Sequence, residues 1–238
     1  MKNSIIVGAS SGIGRELAHA LAAKGHTVGL ASRRTDALEA LQKEIPRKTY
    51  VRQIDLAEPE KAMDSLRELI TEMGGMELVV ISSGISFHNP DLMWESELDT
   101  INVNVVGFTA MATAAFRYFC EKGGGHIVGI SSFRALRGGW SSPAYNASKA
   151  YVSNYLEGLR IKAKKLGKDI RISDIRPGLV ATPMIGKKEG MLVASAKKAA
   201  DQIAEAIEKK EPVAYVTKRY RLIAALMRNM PDSVYSRL

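Results

Sequence analysis

The stretch Ile5-Ile6-Val7-Gly8-Ala9-Ser10-Ser11-Gly12-Ile13-Gly14-Arg15-Glu16-Leu17 decides the fold. A short β-branched run, a glycine-rich turn and the start of a helical apolar pattern follow one another without a break. Glycines at 8, 12 and 14 allow a tight turn and let the backbone approach a pyrophosphate with no Cβ in the way. The N–H groups and dipole at the start of the following helix favour the negative charge. The spacing is G-x-x-x-G-x-G, one residue off the commoner G-x-G-x-x-G, so mechanism carries the reading more than pattern does. A purely structural turn is the alternative, and further motifs bear on the choice.

Working outward, short β-branched runs alternate with longer helical patterns up to about residue 216. Strands are predicted at residues 5–7, 28–31, 50–54, 78–81, 127–130, 170–175 and 213–216. Helices are predicted at 15–24, 36–44, 59–73, 110–119 and 145–166, with Pro59 in a first turn where its missing N–H is harmless. Residues 78–81 are continuously apolar, as in a strand buried on both faces of a parallel sheet. The alternation predicts an α/β fold, a doubly wound (Rossmann-type) parallel sheet of about seven strands flanked by helices. No internal repeat, low-complexity tract or linker divides the 238 residues, which read as a single domain over 1–238.

Composition narrows the class further. A hydrophobic content of 46% with 25% charged residues is ordinary for a soluble globular protein. The one cysteine, Cys120, permits no internal disulfide and fits a reducing, cytoplasmic setting. The apolar run near Met1 is too short for a signal peptide, and no stretch is long enough to cross a bilayer. With 34 basic and 25 acidic residues the formal charge is +9, which suits either an anionic partner or a solvated basic surface. The basic residues are scattered with no nucleic-acid motif between them, so no nucleic-acid partner is expected, and no metal site is read.

The second predicted strand ends at Ser32-Arg33-Arg34. An acidic side chain here would hydrogen-bond the 2′-hydroxyl of an NAD ribose. Ser32 carries no charge to repel a 2′-phosphate, and two guanidinium groups follow, so NADP(H) is expected over NAD(H). Arginines that merely solvate a loop are the bland alternative. Tyr145-Asn146-Ala147-Ser148-Lys149 opens a predicted helix, and the four-residue spacing sets the phenol and the ammonium on one face. A cation nearby favours phenolate and would lower the Tyr145 pKa from about 10 toward neutrality.

With these motifs in hand, the sequence resembles the short-chain dehydrogenase/reductase family in its common single-domain form, from about Ser4 to Met184. The resemblance rests on the Gly8/Gly12/Gly14 turn, Asp55, Ser82-Ser83-Gly84, Asn104-Val105-Val106-Gly107, Ser131-Ser132, Tyr145-x-x-x-Lys149 and Arg176-Pro177-Gly178 in that order. It implies that Tyr145 is the general acid/base and that Lys149 binds the nicotinamide ribose hydroxyls and depresses the Tyr145 pKa. Ser132, thirteen residues before Tyr145, would hydrogen-bond the substrate oxygen. Asn104 would be the helix-interrupting residue that holds a water of a proton relay. Cofactor contacts are implied for Gly8, Ser10, Ser11, Gly12, Ile13, Gly14, Ser32, Arg33, Arg34, Ser82, Ser83, Gly84, Tyr145 and Lys149. Asp55 and Leu56 would meet the adenine, and Pro177, Gly178, Val180 and Thr182 would lie by the carboxamide. Asp55 as a plain cap and Thr182 as a turn residue are the structural alternatives. Two departures stand out: Ser82-Ser83-Gly84 replaces the family's Asn-Ala-Gly, and Val7 replaces its usual Thr.

The implied activity is an NADP(H)-dependent interconversion of a ketone or aldehyde and an alcohol, run as a carbonyl reductase. A catalytically silent NADP(H)-binding sensor or scaffold on the same fold is the competing reading, but it has no chemical reason to keep Asn104, Ser132, Tyr145 and Lys149 together. Substrate contacts are expected around residues 133–140 and in a lid over 183–199, where Met184, Ile185, Met191, Leu192 and Val193 are apolar and Gly186 and Gly190 could hinge. Residues 218–238 form a basic amphipathic segment. On a helix, Tyr220, Leu222, Ile223, Leu226, Met227 and Met230 share one side and Lys218, Arg221 and Arg228 the other, with Arg219 breaking the pattern. Such a segment either touches an anionic membrane surface, suiting a lipid-linked substrate, or packs within the protein or an oligomer. The resemblance implies a homodimer or homotetramer paired through the helices carrying 104–119 and 145–166.

Overall fold

A computed structural model describes residues 2–186, 190 and 192–236. In chain order its strands are β1 (Asn3–Val7), β2 (Thr27–Ser32), β3 (Thr49–Gln53), β4 (Leu78–Ile81), β5 (Gly124–Ile130), β6 (Asp169–Pro177), β7 (Val180–Ala181), β8 (Ala194–Ser195) and β9 (Val213–Val216). The helices are α1 (Gly12–Ala23), α2 (Thr35–Glu44), α3 (Pro59–Met73), α4 (Trp94–Ile101), α5 (Phe108–Lys122), α6 (Pro143–Lys165), α7 (Ala196–Glu208), α8 (Tyr220–Asn229) and α9 (Asp232–Tyr235). Seven strands form one parallel sheet in the order β3-β2-β1-β4-β5-β6-β9, and β7 and β8 make a separate pair. The predicted doubly wound sheet is therefore present.

Strand alternation splits the core in two. Ile5, Val7, Val79, Ile81 and Ile127 face α3, α5 and α6, where Leu66, Phe108 and Leu156 meet them. Ile6, Leu30, Leu78, Val80 and Val128 face α1, α2 and α7. Burying each such side chain is worth roughly 1.5–3 kcal/mol, so the continuous apolar run of β4 is explained by cover on both faces. The chain runs outward from β1 through β2 to β3, then crosses back to β4 and continues the other way. That reversal leaves a crevice beyond the carboxyl ends of β1 and β4, where ligands of open α/β sheets bind.

Helices α4 and α7, and the short α9, lie outside the sequence expectation. Among the residues of α4 only Thr100 is buried, so the segment carries almost no apolar period. The inner face of α7 is built largely from alanines (Ala199, Ala200, Ala204), with Ile203 and Ile207. The last residues of the segment expected as a lid, 196–199, form the first turn of α7. Ser195 accepts a hydrogen bond from the Lys198 N–H (3.1 Å) and caps α7, and Ala199 is fully buried. Met191, counted in that lid, lies outside the described residues, as do 187–189. The interruption expected at Asn104 takes the form of a π-helical stretch, Asn102–Gly107, between α4 and α5.

The C-terminal apolar arc divides in two on α8. Tyr220 and Ala224 are buried and Ile223 and Met227 half-buried, whereas Leu222 and Leu226 are exposed at 78% and 66%. The small-residue run of α5 packs mainly against the sheet, with Met111, Ala112 and Ala115 buried. Its outer edge carries Thr109 and Thr113, hydrogen-bonded to the stacked Tyr151 and Tyr155 of α6.

Inside the sheet, His126 of β5 is 8% exposed and shares a 2.8 Å hydrogen bond between Nε2 and the Ser173 hydroxyl. Burial, reinforced by Lys210, Lys2 and Arg171, lowers its pKa from 6.5 to about 4. The unfolded chain therefore binds the proton more readily between those values. Stability should be fully present above pH 6.5 and fall toward pH 4, by up to about 3 kcal/mol from this group. Thermal melts across that range should show the loss, and a folded His126→Gln variant should show a shallower slope; equal slopes would count against it.

Candidate active site

The crevice floor is made where β1 breaks into its turn. Gly8 has φ +99°, and its N–H donates to Ala31 O at 2.7 Å. A Cβ on Gly8 would stand 2.5 Å from the Ser83 nitrogen, and one on Gly14 would stand 2.2 Å from Gly8 O. Larger residues would push the turn apart, so the glycines are fixed by close packing as well as conformation. The Ser82 and Ser83 N–H groups both donate to Val7 O, at 2.8 and 3.0 Å. The serines that depart from the family pattern thus still tie the end of β4 to β1 through backbone. Ser11 precedes α1 without a side-chain cap, and the first turn of α1 carries no acid. Those N–H groups and the helix dipole suit a phosphate.

Arg34 lies across this turn, its Nη2 donating to the hydroxyls of Ser10 and Ser11 at 3.0 Å each. Ser32 holds the Arg34 backbone, accepting from its N–H at 3.1 Å. Arg33 stands 4.0 Å from Asp55, a half-exposed pair of little energetic weight. Asp55 itself caps the Ala57 N–H at 3.0 Å, so its structural reading is realised while its side chain still borders the crevice.

The other end is built by α6 and the tip of β5. Tyr145, Lys149 and Ser153 stand four residues apart on one line of α6. Lys149 is 5% exposed, donates to Ile130 O at 3.0 Å and lies 5.7 Å from the centre of the Tyr145 ring. Burial lowers its pKa from 10.5 to about 8, and Asp174 opposes the fall. Burial also raises the Tyr145 pKa, outweighing the Ser132 hydroxyl and the Arg134 guanidinium, which lower it. This corrects the expected depression by Lys149: the ammonium sits over the ring and bonds a carbonyl, and desolvation of the phenolate dominates.

Asn104, 1% exposed, braces this end from behind. Its Oδ1 accepts from the Ile85 N–H and its Nδ2 donates to Ile85 O, both at 2.8 Å. The same Nδ2 reaches Ser148 Oγ at 3.1 Å, beside Lys149. Asn104 thereby links the loop after β4 to α6.

All of the residues predicted for the cofactor except Gly14 line one cavity, together with Ser132. Gly14 supports the turn and Asn104 supports α6, both from outside that lining. Ile85, Ile130, Ser131, Met184 and Ile185 also line it; of these the two backbone partners, Ile85 and Ile130, are visible only in three dimensions. The 133–140 loop does not line it. Phe133 instead packs on Tyr220 with ring centres 5.0 Å apart, and Trp140 is 74% exposed. Tyr220 packs directly on Gly178 and donates from its hydroxyl to Leu192 O at 3.2 Å, joining the C-terminal segment to the stretch before β8. Arg137 completes that strap. It donates to Met227 O and Met230 O at 3.2 and 2.8 Å, pairs with Asp232, and lies 4.4 Å from the Tyr235 ring centre. Arg137 belongs to no motif, whereas Tyr220 falls on the apolar side of the C-terminal helical pattern.

Whether a nicotinamide nucleotide suits this crevice can be judged from the donors. A Lys ammonium has three N–H donors, and one acceptor, Ile130 O, is found for Lys149 among the described residues. Two remain for a vicinal diol. The uncapped start of α1 and the close-packed glycines accommodate a pyrophosphate at the opposite end. The residues fit the group.

Comparison with known proteins agrees. Residues 2–193 match the family described as short chain dehydrogenase. An oxidoreductase of Myxococcus xanthus is 34% identical, over 77% of this chain and 74% of that protein. Bovine 15-hydroxyprostaglandin dehydrogenase [NAD(+)] is 29% identical, over 80% and 73%. In fold, a short chain dehydrogenase of Burkholderia cenocepacia in complex with NADP superposes with a TM-score of 0.85, covering 100% of this chain and 99% of that one at 21% identity. A 3-ketoacyl-(acyl-carrier-protein) reductase of Brucella melitensis complexed with NADH gives 0.82, covering 90% and 96% at 23% identity. The chain belongs to the short-chain dehydrogenase family, and it is an oxidoreductase that acts on a CH–OH group with a nicotinamide nucleotide.

Proposed function

We propose that the protein is an NADP(H)-dependent carbonyl reductase, converting a ketone or aldehyde to an alcohol, with an apolar or lipid-linked substrate. The observation that carries the reading is the convergence of Ser132, Tyr145 and Lys149 at one end of a crevice whose other end has Arg34 laid over the glycine turn. A nicotinamide nucleotide held here would supply the hydride, and Lys149 would hold its ribose diol with its spare N–H groups. Ser132 orients the carbonyl oxygen, and Tyr145 gives its proton to that oxygen as negative charge develops there. A phenol whose pKa is raised keeps its proton at neutral pH, which suits an acid in the reductive direction. Asn104 keeps the start of α6 in place through Ser148.

Preference for NADP(H) is supported by the lack of an acid at the end of β2 and by Arg34, whose guanidinium is steered by two serines. The apolar Met184 and Ile185 at the cavity edge support an apolar substrate. Pairing into a homodimer or homotetramer is supported by the tyrosine-faced edge of α5 and α6. The protein works in the cytoplasm, where a single thiol stays reduced. Peripheral membrane contact is supported by exposed Leu222 and Leu226 set among exposed Lys218, Arg219, Arg221 and Arg228.

Purified protein with NADPH and a panel of ketones and aldehydes should show turnover. Tyr145→Phe should reduce it by about 10²–10⁴ with NADPH affinity preserved; a variant as active as the parent would refute the mechanism. Replacing Arg34 by Ala should weaken NADPH binding by about 10- to 100-fold and leave NADH binding nearly unchanged, and equal losses for the two nucleotides would remove the basis for the preference. Co-sedimentation with anionic vesicles should fall in Leu222→Ser/Leu226→Ser; unchanged binding, or none in the parent, would end the membrane assignment.

A further inference from the structure

Asp174 is a carboxylate at 1% exposure in the centre of β6 that the proposed chemistry does not use. Three elements converge on it. Ser131 at the tip of β5 donates its hydroxyl to Oδ1. Ser153 of α6 donates to Oδ2 at 2.8 Å, and Arg176 Nε of its own strand reaches the same oxygen at 2.7 Å. Arg176 is held in turn by the Tyr215 hydroxyl of β9 at 3.1 Å.

The placement of these partners is the point. Ser131 lies between Ile130, whose carbonyl accepts from Lys149, and Ser132. Ser153 is one turn beyond Lys149, which is one turn beyond Tyr145, on the same line of α6. One carboxylate therefore pins both the strand tip and the helix that between them present Tyr145, Lys149 and Ser132. The backbone of β5 and β6 gives register through Ser131 N to Ile175 O at 2.8 Å but cannot fix how far α6 slides along them. Side chains crossing from α6 to the sheet can.

We propose that Asp174 is a positioning residue of the active site: it clamps the tip of β5 to α6 through Ser131 and Ser153 and supplies the negative charge that balances the buried Lys149. The charged and titratable groups this cluster meets are Arg176 from β6, Tyr215 from β9 through Arg176, and Lys149 from α6, which feels the Asp174 charge. Arg176 is the cation in direct contact, so the field reaching Lys149 is what remains of the carboxylate charge after that pairing. The inference rests on the functional reading above only for what Lys149 does when the nucleotide binds.

The test is NADPH affinity, followed by fluorescence from neutral to alkaline pH, in the parent, Asp174→Asn and Ser131→Ala/Ser153→Ala. Affinity of the parent should weaken as pH rises through about 8, where Lys149 loses its proton. Asn keeps the shape and an acceptor for Ser131 but removes the charge, so the midpoint should move down by roughly half to one pH unit. The double variant keeps the charge and releases the clamp. Its midpoint should stay, while affinity and ketone turnover fall by about five- to tenfold. A folded Asp174→Asn with an unmoved midpoint overturns the electrostatic part, and a double variant equal to the parent overturns the clamp. Should Asp174→Asn fail to fold, Asp174→Ser, which also lacks the charge, takes its place for the midpoint, and the double variant decides the clamp. A parent that binds no NADPH at any pH overturns the functional reading and this inference with it, a result distinct from binding with an unmoved midpoint.

Discussion

A buried ammonium constrains everything around it. Lys149 is removed from water almost completely, and the cost of that desolvation shows in a pKa lowered to about 8. A cation in such a place persists only with acceptors and a counter-charge nearby. The carbonyl of Ile130 supplies the first, and the negative charge of Asp174, itself paired with Arg176, opposes the fall in the Lys149 pKa. To bring them together the end of β5 must lie against α6, which also sets Ser132 and Tyr145 on one side of the crevice. The electrostatic need of one side chain thus organises the reacting end of the site.

The opposite end answers to a different constraint, the space available to backbone. Gly8 and Gly14 are packed so closely against Ser83 and each other that no side chain fits, and Ser82 and Ser83 close the floor by bonding Val7 O. This end therefore needs no buried charge of its own. Its attraction for phosphate comes from the uncapped start of α1 and from Arg34, which reaches across from the end of β2. The two ends meet only because β1 and β4 are neighbours at the point where the sheet order reverses.

What differs most from a bare nucleotide-binding sheet is the strap after β9. Tyr220 wedges between Gly178, Phe133 and the carbonyl of Leu192, and Arg137 gathers the end of α8 and α9 onto the 133–140 loop. The matched family region stops at residue 193, before this strap begins.

The sequence by itself determined the sheet, because buried parallel strands need continuous apolar runs and glycine turns leave a signature that short-range sterics enforce. It also marked the glycine turn and the Tyr145/Lys149 helix face, and the family resemblance added Ser132, which lines the same cavity. Tertiary structure alone decided the rest. Helices α4 and α7 were hidden because one buries almost nothing and the other buries mostly alanine. The Tyr145 pKa moves upward, against the sequence expectation, because burial of the phenol, which no spacing encodes, outweighs the Ser132 hydroxyl and the Arg134 guanidinium. Asp174, Arg137 and Tyr220 carry no motif, since their roles come from contacts across β5, α6, β9 and the C-terminal strap. A pattern along the chain reports its own neighbours; a buried charge or a ring wedged against a glycine is defined by what the fold brings from elsewhere.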